Sequence, residues 1–150
     1  MIRDIRYQAA IIHNQQILLI QHREHASGRS YWLLPGGGRE GDETPEQCLR
    51  REVNEETHLT ITVERLLLDD PAPPDDVYQR FHTYLCLPST LTANPGMEPE
   101  PEAAALYSIS AVAWCPLDDE TGWDPEVASD RITAPLLRRI LAAMRDTAAG

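Results

Sequence analysis

Positive charge is scarce in this chain: 13 Lys and Arg stand against 24 Asp and Glu, a formal charge of −11. That balance disfavours broad binding to polyanionic nucleic acid or to an anionic membrane surface. Neither a nucleic-acid polymer nor a membrane is therefore expected as a partner, and a phosphorylated small molecule would need a metal bridge to enter so acidic a protein. Cysteine is nearly as sparse. Cys48, Cys86 and Cys115 are an odd number at spacings unlike any zinc ligand pattern, and they read as reduced thiols. Long apolar runs are also missing: none approaches the length of a membrane span, and Met1 to Tyr7 is charged and lacks the apolar core of a signal peptide. A cytoplasmic protein is expected. Its 150 residues suit one domain over 1–150 built around a single core, and a homodimer of such domains stays open.

What is present in quantity is acid, and it is concentrated where a helix should reject it. Gly37 to Leu59 reads GGREGDETPEQCLRREVNEETHL, and its last helical turn carries Glu52, Glu55 and Glu56. Spacings of three and four residues put Glu52 beside both others, where like charges destabilise by about 0.2–0.5 kcal/mol per pair. The negative end of the helix macrodipole costs each about 0.3–1 kcal/mol more at low salt. Hard oxygen ligands crowded on one face suit Mg²⁺ or Mn²⁺, which are held by a few carboxylates plus waters and substrate phosphates.

The flanking residues build and aim that helix. Thr44 is a good N-cap, Pro45 falls at the first helical position where its missing N–H costs nothing, and Gln47 completes a capping box with Thr44. Leu49 and Val53 form an apolar stripe that packs on a core while the acids stay at the rim of a cleft. Gly36, Gly37 and Gly38 precede the helix. In such a run no side chain blocks the backbone from approaching a phosphate or offering a carbonyl to a metal.

These residues resemble the Nudix hydrolase signature: a glycine, five residues, a glutamate, seven residues, then Arg-Glu-aliphatic-x-Glu-Glu-x-Gly-aliphatic. Gly37, Glu43, Arg51, Glu52, Val53, Glu55, Glu56 and Leu59 stand in register, and Trp32-Leu33-Leu34-Pro35-Gly36 is similar to the usual approach. His58 replaces the glycine that normally ends the helix, a position that often needs a left-handed backbone; histidine there should cost on the order of 1 kcal/mol relative to Gly. The resemblance implies an α/β fold, a Nudix-like α/β/α sandwich around a mixed β-sheet. It also implies metal-dependent hydrolysis of a diphosphate linkage in a nucleoside diphosphate derivative of the nucleoside triphosphate, ADP-ribose or nucleotide-sugar type. Glu52, Glu55 and Glu56 are then metal ligands with the Gly37 carbonyl as a fourth, Glu52 or Glu56 doubles as base, and Arg51 orients the glutamates through Glu43. Some Nudix enzymes take their base from an acid outside the box, which makes Glu98, Glu100 and Glu102 further candidates, with Glu100 chosen among them.

Along the chain, Ile5 to Ile12 and Ile17 to Gln21 read as a hairpin, His22 to Ser30 as a loop, and Tyr31 to Leu34 as the short strand delivering the glycines. Thr60 to Leu68, Val77 to Leu87 and Ala105 to Trp114 are strand-like. Ala134 to Arg145 has Leu137, Ile140, Leu141 and Met144 at helical spacing, so a second amphipathic helix packs on the sheet. Two Pro- and acid-rich stretches, Asp69 to Asp76 and Pro88 to Glu102, read as irregular connections that continue neither a helix nor a central strand.

For substrate binding, Arg23 and Arg39 could touch phosphates beside Gly36 and Gly38. Trp32, Tyr78, Phe81 and Tyr84 are candidates for stacking a base, though aromatics on strands are more often core. His22 and His82 read as ordinary strand-edge histidines. Two other classes compete: a non-catalytic Nudix-like nucleotide sensor, against which the intact carboxylates speak, and an isoprenoid-diphosphate isomerase of the same fold, whose chemistry lies outside an intact box.

Overall fold

The computed structural model describes residues 3–96 and 107–149, with side chains from residue 4 to residue 146 within them. The strands are β1 (Arg3–His13), β2 (Gln16–Glu24), β3 (Ser30–Leu33), β4 (Gly36–Gly37), β5 (Ile61–Pro71), β6 (Tyr78–Pro88) and β7 (Tyr107–Pro116). The helices are α1 (Pro45–Thr57), the single turn α2 (Pro125–Ala128) and α3 (Thr133–Ala149). The sheet runs β3-β2-β1-β6-β5, with β4 added to β1 and β7 to β2. It is mixed, because β1 and β6 are parallel while the other pairs are antiparallel.

A fork in the sheet positions the glycines. β1 and β2 share only the pairs Ile12↔Ile17 and His13↔Gln16. Beyond them the strands part, and the free edge of β1 is taken by β4 through Tyr7↔Gly37 and Gln8↔Gly36, reinforced by the Ala9 N–H bond to the Pro35 carbonyl at 2.8 Å. Each face then buries its own core. α1 closes one with Leu49 and Val53 against Ala9, Ile11 and Leu18. On the other, Leu137 and Ile140 of α3 pack against Ala10, Ile12, Ile17 and Leu19. The α/β/α sandwich expected from the sequence is the observed architecture. No helix among the described residues is long and apolar enough to cross a membrane.

The helix ends follow the sequence closely. Thr44 Oγ1 accepts from the Gln47 N–H at 3.1 Å and Gln47 Oε1 accepts from the Thr44 N–H at 2.9 Å, a reciprocal capping box. At the other end His58 takes φ 63°, and its N–H donates to the Asn54 carbonyl. It adopts the left-handed cap that a glycine would have supplied.

Two strand readings need correction. β2 continues through His22 to Glu24, carried past a bulge in β7 opposite Gln21 and His22, so the expected loop from His22 shrinks. Asp69, Asp70 and Pro71 belong to β5 and not to a connection. Proline is tolerated there because β5 is the edge of the sheet, where a missing donor leaves no ladder bond unmade. The stretch after Pro88 is irregular as far as Gly96, and Glu98, Glu100 and Glu102 lie outside the described residues.

Candidate active site

The site grows from two glycines that admit no side chain. A Cβ on Gly36 would stand 2.1 Å from the Tyr7 carbonyl oxygen, and one on Gly37 would stand 2.5 Å from Glu52 Oε1. The first glycine lets the backbone enter the fork; the second lets a carboxylate lie directly on it. The Gly36 N–H donates to Glu56 Oε1 at 2.8 Å, so the segment before the helix fixes a carboxylate at its far end. Glu52 and Glu56 are 2% and 1% exposed, a depth at which acids are seldom found without a partner.

Arg51 is the hub. Its Nε and Nη2 donate to Glu43 Oε2 and Oε1 at 2.8 and 3.0 Å, a two-pronged pair. Its Nη1 donates to Glu52 Oε1 at 3.0 Å and to Glu55 Oε2 at 3.1 Å, while Nη2 reaches the Gly38 carbonyl at 3.1 Å. The guanidinium holds the Glu43 carboxyl below the usual carboxylate range, and these acids in turn push the Arg51 pKa up. Cys48 lies beneath, its thiol 3.8 Å from the Gly37 carbonyl. Burial, with Glu52 nearby, pushes that thiol up to about 12, so it stays protonated.

Glu43, Glu52 and Glu55 bring their carboxyl groups to Arg51, Glu56 brings its own to the Gly36 N–H, and two of the four, Glu52 and Glu56, are buried. Such an all-oxygen donor set fits a hard divalent cation. As the side chains stand, however, no three acids, histidines or cysteines among the described residues converge on one point. Glu52 and Glu55 each give an oxygen to Arg51, so gathering the acids round an ion needs their carboxylates to rotate.

Other expected residues lie elsewhere. Arg39 stacks over the Tyr7 ring at 5.8 Å and its Nη1 is 3.5 Å from the Glu43 carbonyl, so it borders the glycines. Arg23 does not: its guanidinium covers the turn at Gly28. Trp32 packs on the α3 side with the core there, away from the carboxylates, because it pairs with Gln21 on the opposite face of β2 from Ile20 and His22. Tyr78 and Phe81 pack edge to face.

His22 is more than a strand-edge histidine. It is buried between Tyr31 and Tyr107, ring centroids 5.9 and 5.7 Å away, with Nε2 lacking a hydrogen-bond partner. Burial first, and the Arg6 cation second, lower its pKa to about 4, so it is neutral at pH 7. Nothing in the linear pattern signals this cluster, which depends on β3 and β7 flanking β2.

A family model described as the NUDIX domain matches residues 5–136. The chain belongs to the Nudix family, and by class it is a Nudix pyrophosphohydrolase. Solved structures of the same fold include an ADP-ribose pyrophosphatase from Streptococcus suis, 23% identical over 94% of this chain and 91% of that one, TM-score 0.67. A NUDIX hydrolase from Nitrosomonas europaea is 18% identical over 97% and 90%, TM-score 0.71. A UDP-X diphosphatase is 20% identical over 97% and 66%, TM-score 0.60. At these identities the likeness is one of fold. Nudix hydrolases generally use divalent metal ions.

Proposed function

We propose that the protein hydrolyses a diphosphate linkage in a nucleoside diphosphate derivative, using Mg²⁺ or Mn²⁺ held by Glu52, Glu55, Glu56 and the Gly37 carbonyl. The observation that carries this reading is the pair of buried carboxylates, Glu52 on Gly37 and Glu56 on the Gly36 N–H, set at the end of the helix beside the glycines. A bound divalent ion would neutralise phosphate oxygens and favour deprotonation of the attacking water. Water oxygen forms a new bond to phosphorus, the bridging P–O bond breaks, and the leaving phosphate keeps the bonding pair. The water proton passes to a carboxylate. Glu52 and Glu56 are candidates within the box; a carboxylate committed to a metal is the poorer acceptor, which favours Glu98, Glu100 or Glu102, with Glu100 our choice. Arg51 acts as a positioning residue, through Glu43 on one side and Glu52 and Glu55 on the other.

The test is turnover of a panel of nucleoside triphosphates, ADP-ribose, nucleotide sugars and dinucleoside polyphosphates. Activity should appear with Mg²⁺ or Mn²⁺, vanish with chelator, and fall by about two orders of magnitude or more in kcat in Glu56→Gln with the fold retained. Full turnover in chelator would sink the assignment. Unchanged kcat after Glu98, Glu100 and Glu102 are all replaced by Gln would return the base to the box.

A further inference from the structure

One rung of the sheet leads straight out of the site. Gly37 pairs with Tyr7, Tyr7 with His82, and His82 with Asp69, so four strands place these residues side by side on the face that carries Glu52. α1 covers this face over Ala9, Ile11 and Cys86. It does not reach the outer part of the rung. There the His82 side chain is 18% exposed and that of Asp69 47%; neighbouring Tyr84 is half-buried, and Leu66, its partner across β5, is 44% exposed.

The acid at the end of the rung is held and aimed. Asp69 Oδ1 accepts from Arg80 Nε at 2.7 Å and lies 3.1 Å from His82 Nε2. Arg80 Nη2 reaches the Asp69 carbonyl at 3.2 Å, so among the described residues the side-chain contacts gather on Oδ1 and Oδ2 has no donor. The hydrogen bond from Arg80 holds this carboxyl below its usual range, so it is an acceptor and not a donor near neutrality. Tyr7 lies edge-on to His82 with ring centroids 5.7 Å apart, and 6.4 Å from Tyr84. Arg39 lies over Tyr7 on the side of the glycines. Three inter-strand spacings of about 4.8 Å separate Gly37 from Asp69, about 14 Å in all, room for a diphosphate followed by a sugar.

We propose that the open stretch of sheet beside the buried Tyr7, formed by His82, Tyr84 and Asp69, is the nucleoside subsite, in which Asp69 Oδ2 accepts hydrogen bonds from the 2′,3′-hydroxyl pair of a ribose. The inference rests on the diphosphate lying at the glycines and glutamates, as proposed above. Arg39 lies beside the glycines at one end of the rung, and at the other the Asp69 carboxylate is offset by the Arg80 guanidinium on its Oδ1. That arrangement places a cation at the diphosphate end and an acceptor with little net charge where an uncharged, hydroxylated ring would lie. A vicinal diol offers two donors to a carboxylate; a 2′-deoxyribose offers one.

Kinetics with paired ribo- and 2′-deoxyribonucleotide substrates test it. The wild type should prefer each ribonucleotide by tenfold or more in kcat/KM. Asp69→Asn, an isosteric change at an exposed position, should raise KM for the ribonucleotide about tenfold, raise it clearly less for the deoxy substrate, which keeps a single hydroxyl donor, and leave kcat within threefold. Equal handling of the two sugars by the wild type, or equal loss on both in the variant, overturns the subsite. A wild type that turns over no substrate in the panel overturns the hydrolase reading instead. In that case an NMR titration with ADP-ribose in the absence of metal decides the subsite alone: the His82 ring resonances should shift in the wild type and stay in place in Asp69→Asn. Unmoved His82 resonances in the wild type would dismiss it.

Discussion

His58 and His22 mark opposite limits of what single residues reveal. The local grammar around His58 predicts a left-handed cap, and φ 63° is what the chain adopts, because a helix end is decided by its own few residues. The surroundings of His22 are decided by Tyr31 and Tyr107, nine and 85 positions away along the chain, and by the Arg6 cation. Its consequence is pH-dependent stability. Folding lowers the pKa from 6.5 to about 4, so between these values the unfolded chain takes up a proton that the folded one refuses. Stability from this site is therefore complete above pH 6.5 and declines as pH falls toward 4, by up to about 3 kcal/mol. Urea midpoints of wild type and His22→Gln from pH 7.5 to 4 should show a smaller acid loss in the variant. Parallel curves would mean that His22 protonates freely in the folded protein.

At the scale of elements, α1 was legible almost to the residue, since Thr44, Pro45, Gln47 and the carboxylate register are all short-range signals. The end of β5 was not. Asp69 to Pro71 looks like a breaker until β5 proves to be the sheet edge, which is a property of topology and not of sequence. The same holds for the segment after β6, which docks on the C-terminal end of α1. Asn94 and Gly96 donate their N–H groups to the carbonyls of Thr57 and Glu56 at 3.0 and 2.8 Å, satisfying acceptors that the helix leaves open. A Cβ on Gly96 would stand 1.9 Å from the Glu55 carbonyl oxygen, a backbone contact that cannot swing aside. Gly96→Ala should cost about 1–3 kcal/mol of stability, read from the denaturation midpoint, and lower kcat as Glu55 and Glu56 shift. An unchanged midpoint would show that this docking contributes nothing.

For the whole molecule, the excess of acid seen in composition is partly resolved by surface pairs such as Arg138 with Glu120 and Arg50 with Glu46, which contribute little. At the box the acids gather around Arg51, and Glu52 and Glu56 are buried there. A divalent ion that binds only the folded state should therefore raise the melting temperature. At a hundredfold excess over Kd the linkage is about 2.7 kcal/mol, or about 5–10 °C for a chain of this size. Calorimetry with and without Mg²⁺ measures it, and Glu56→Gln should shrink the shift. No shift at millimolar Mg²⁺ in the wild type would count against a site of useful affinity.

Arg51 also determines how the box comes into being. Its donors reach Gly38 and Glu43 before the helix and Glu52 and Glu55 within it, so loop and helix are knotted at one planar group that never gives up its proton. Neither half can form or melt alone without stranding carboxylates. The stretch from Gly36 to Leu59 therefore assembles and opens as one cooperative unit, and a nucleotide arriving at the glycines meets either the whole machine or none of it.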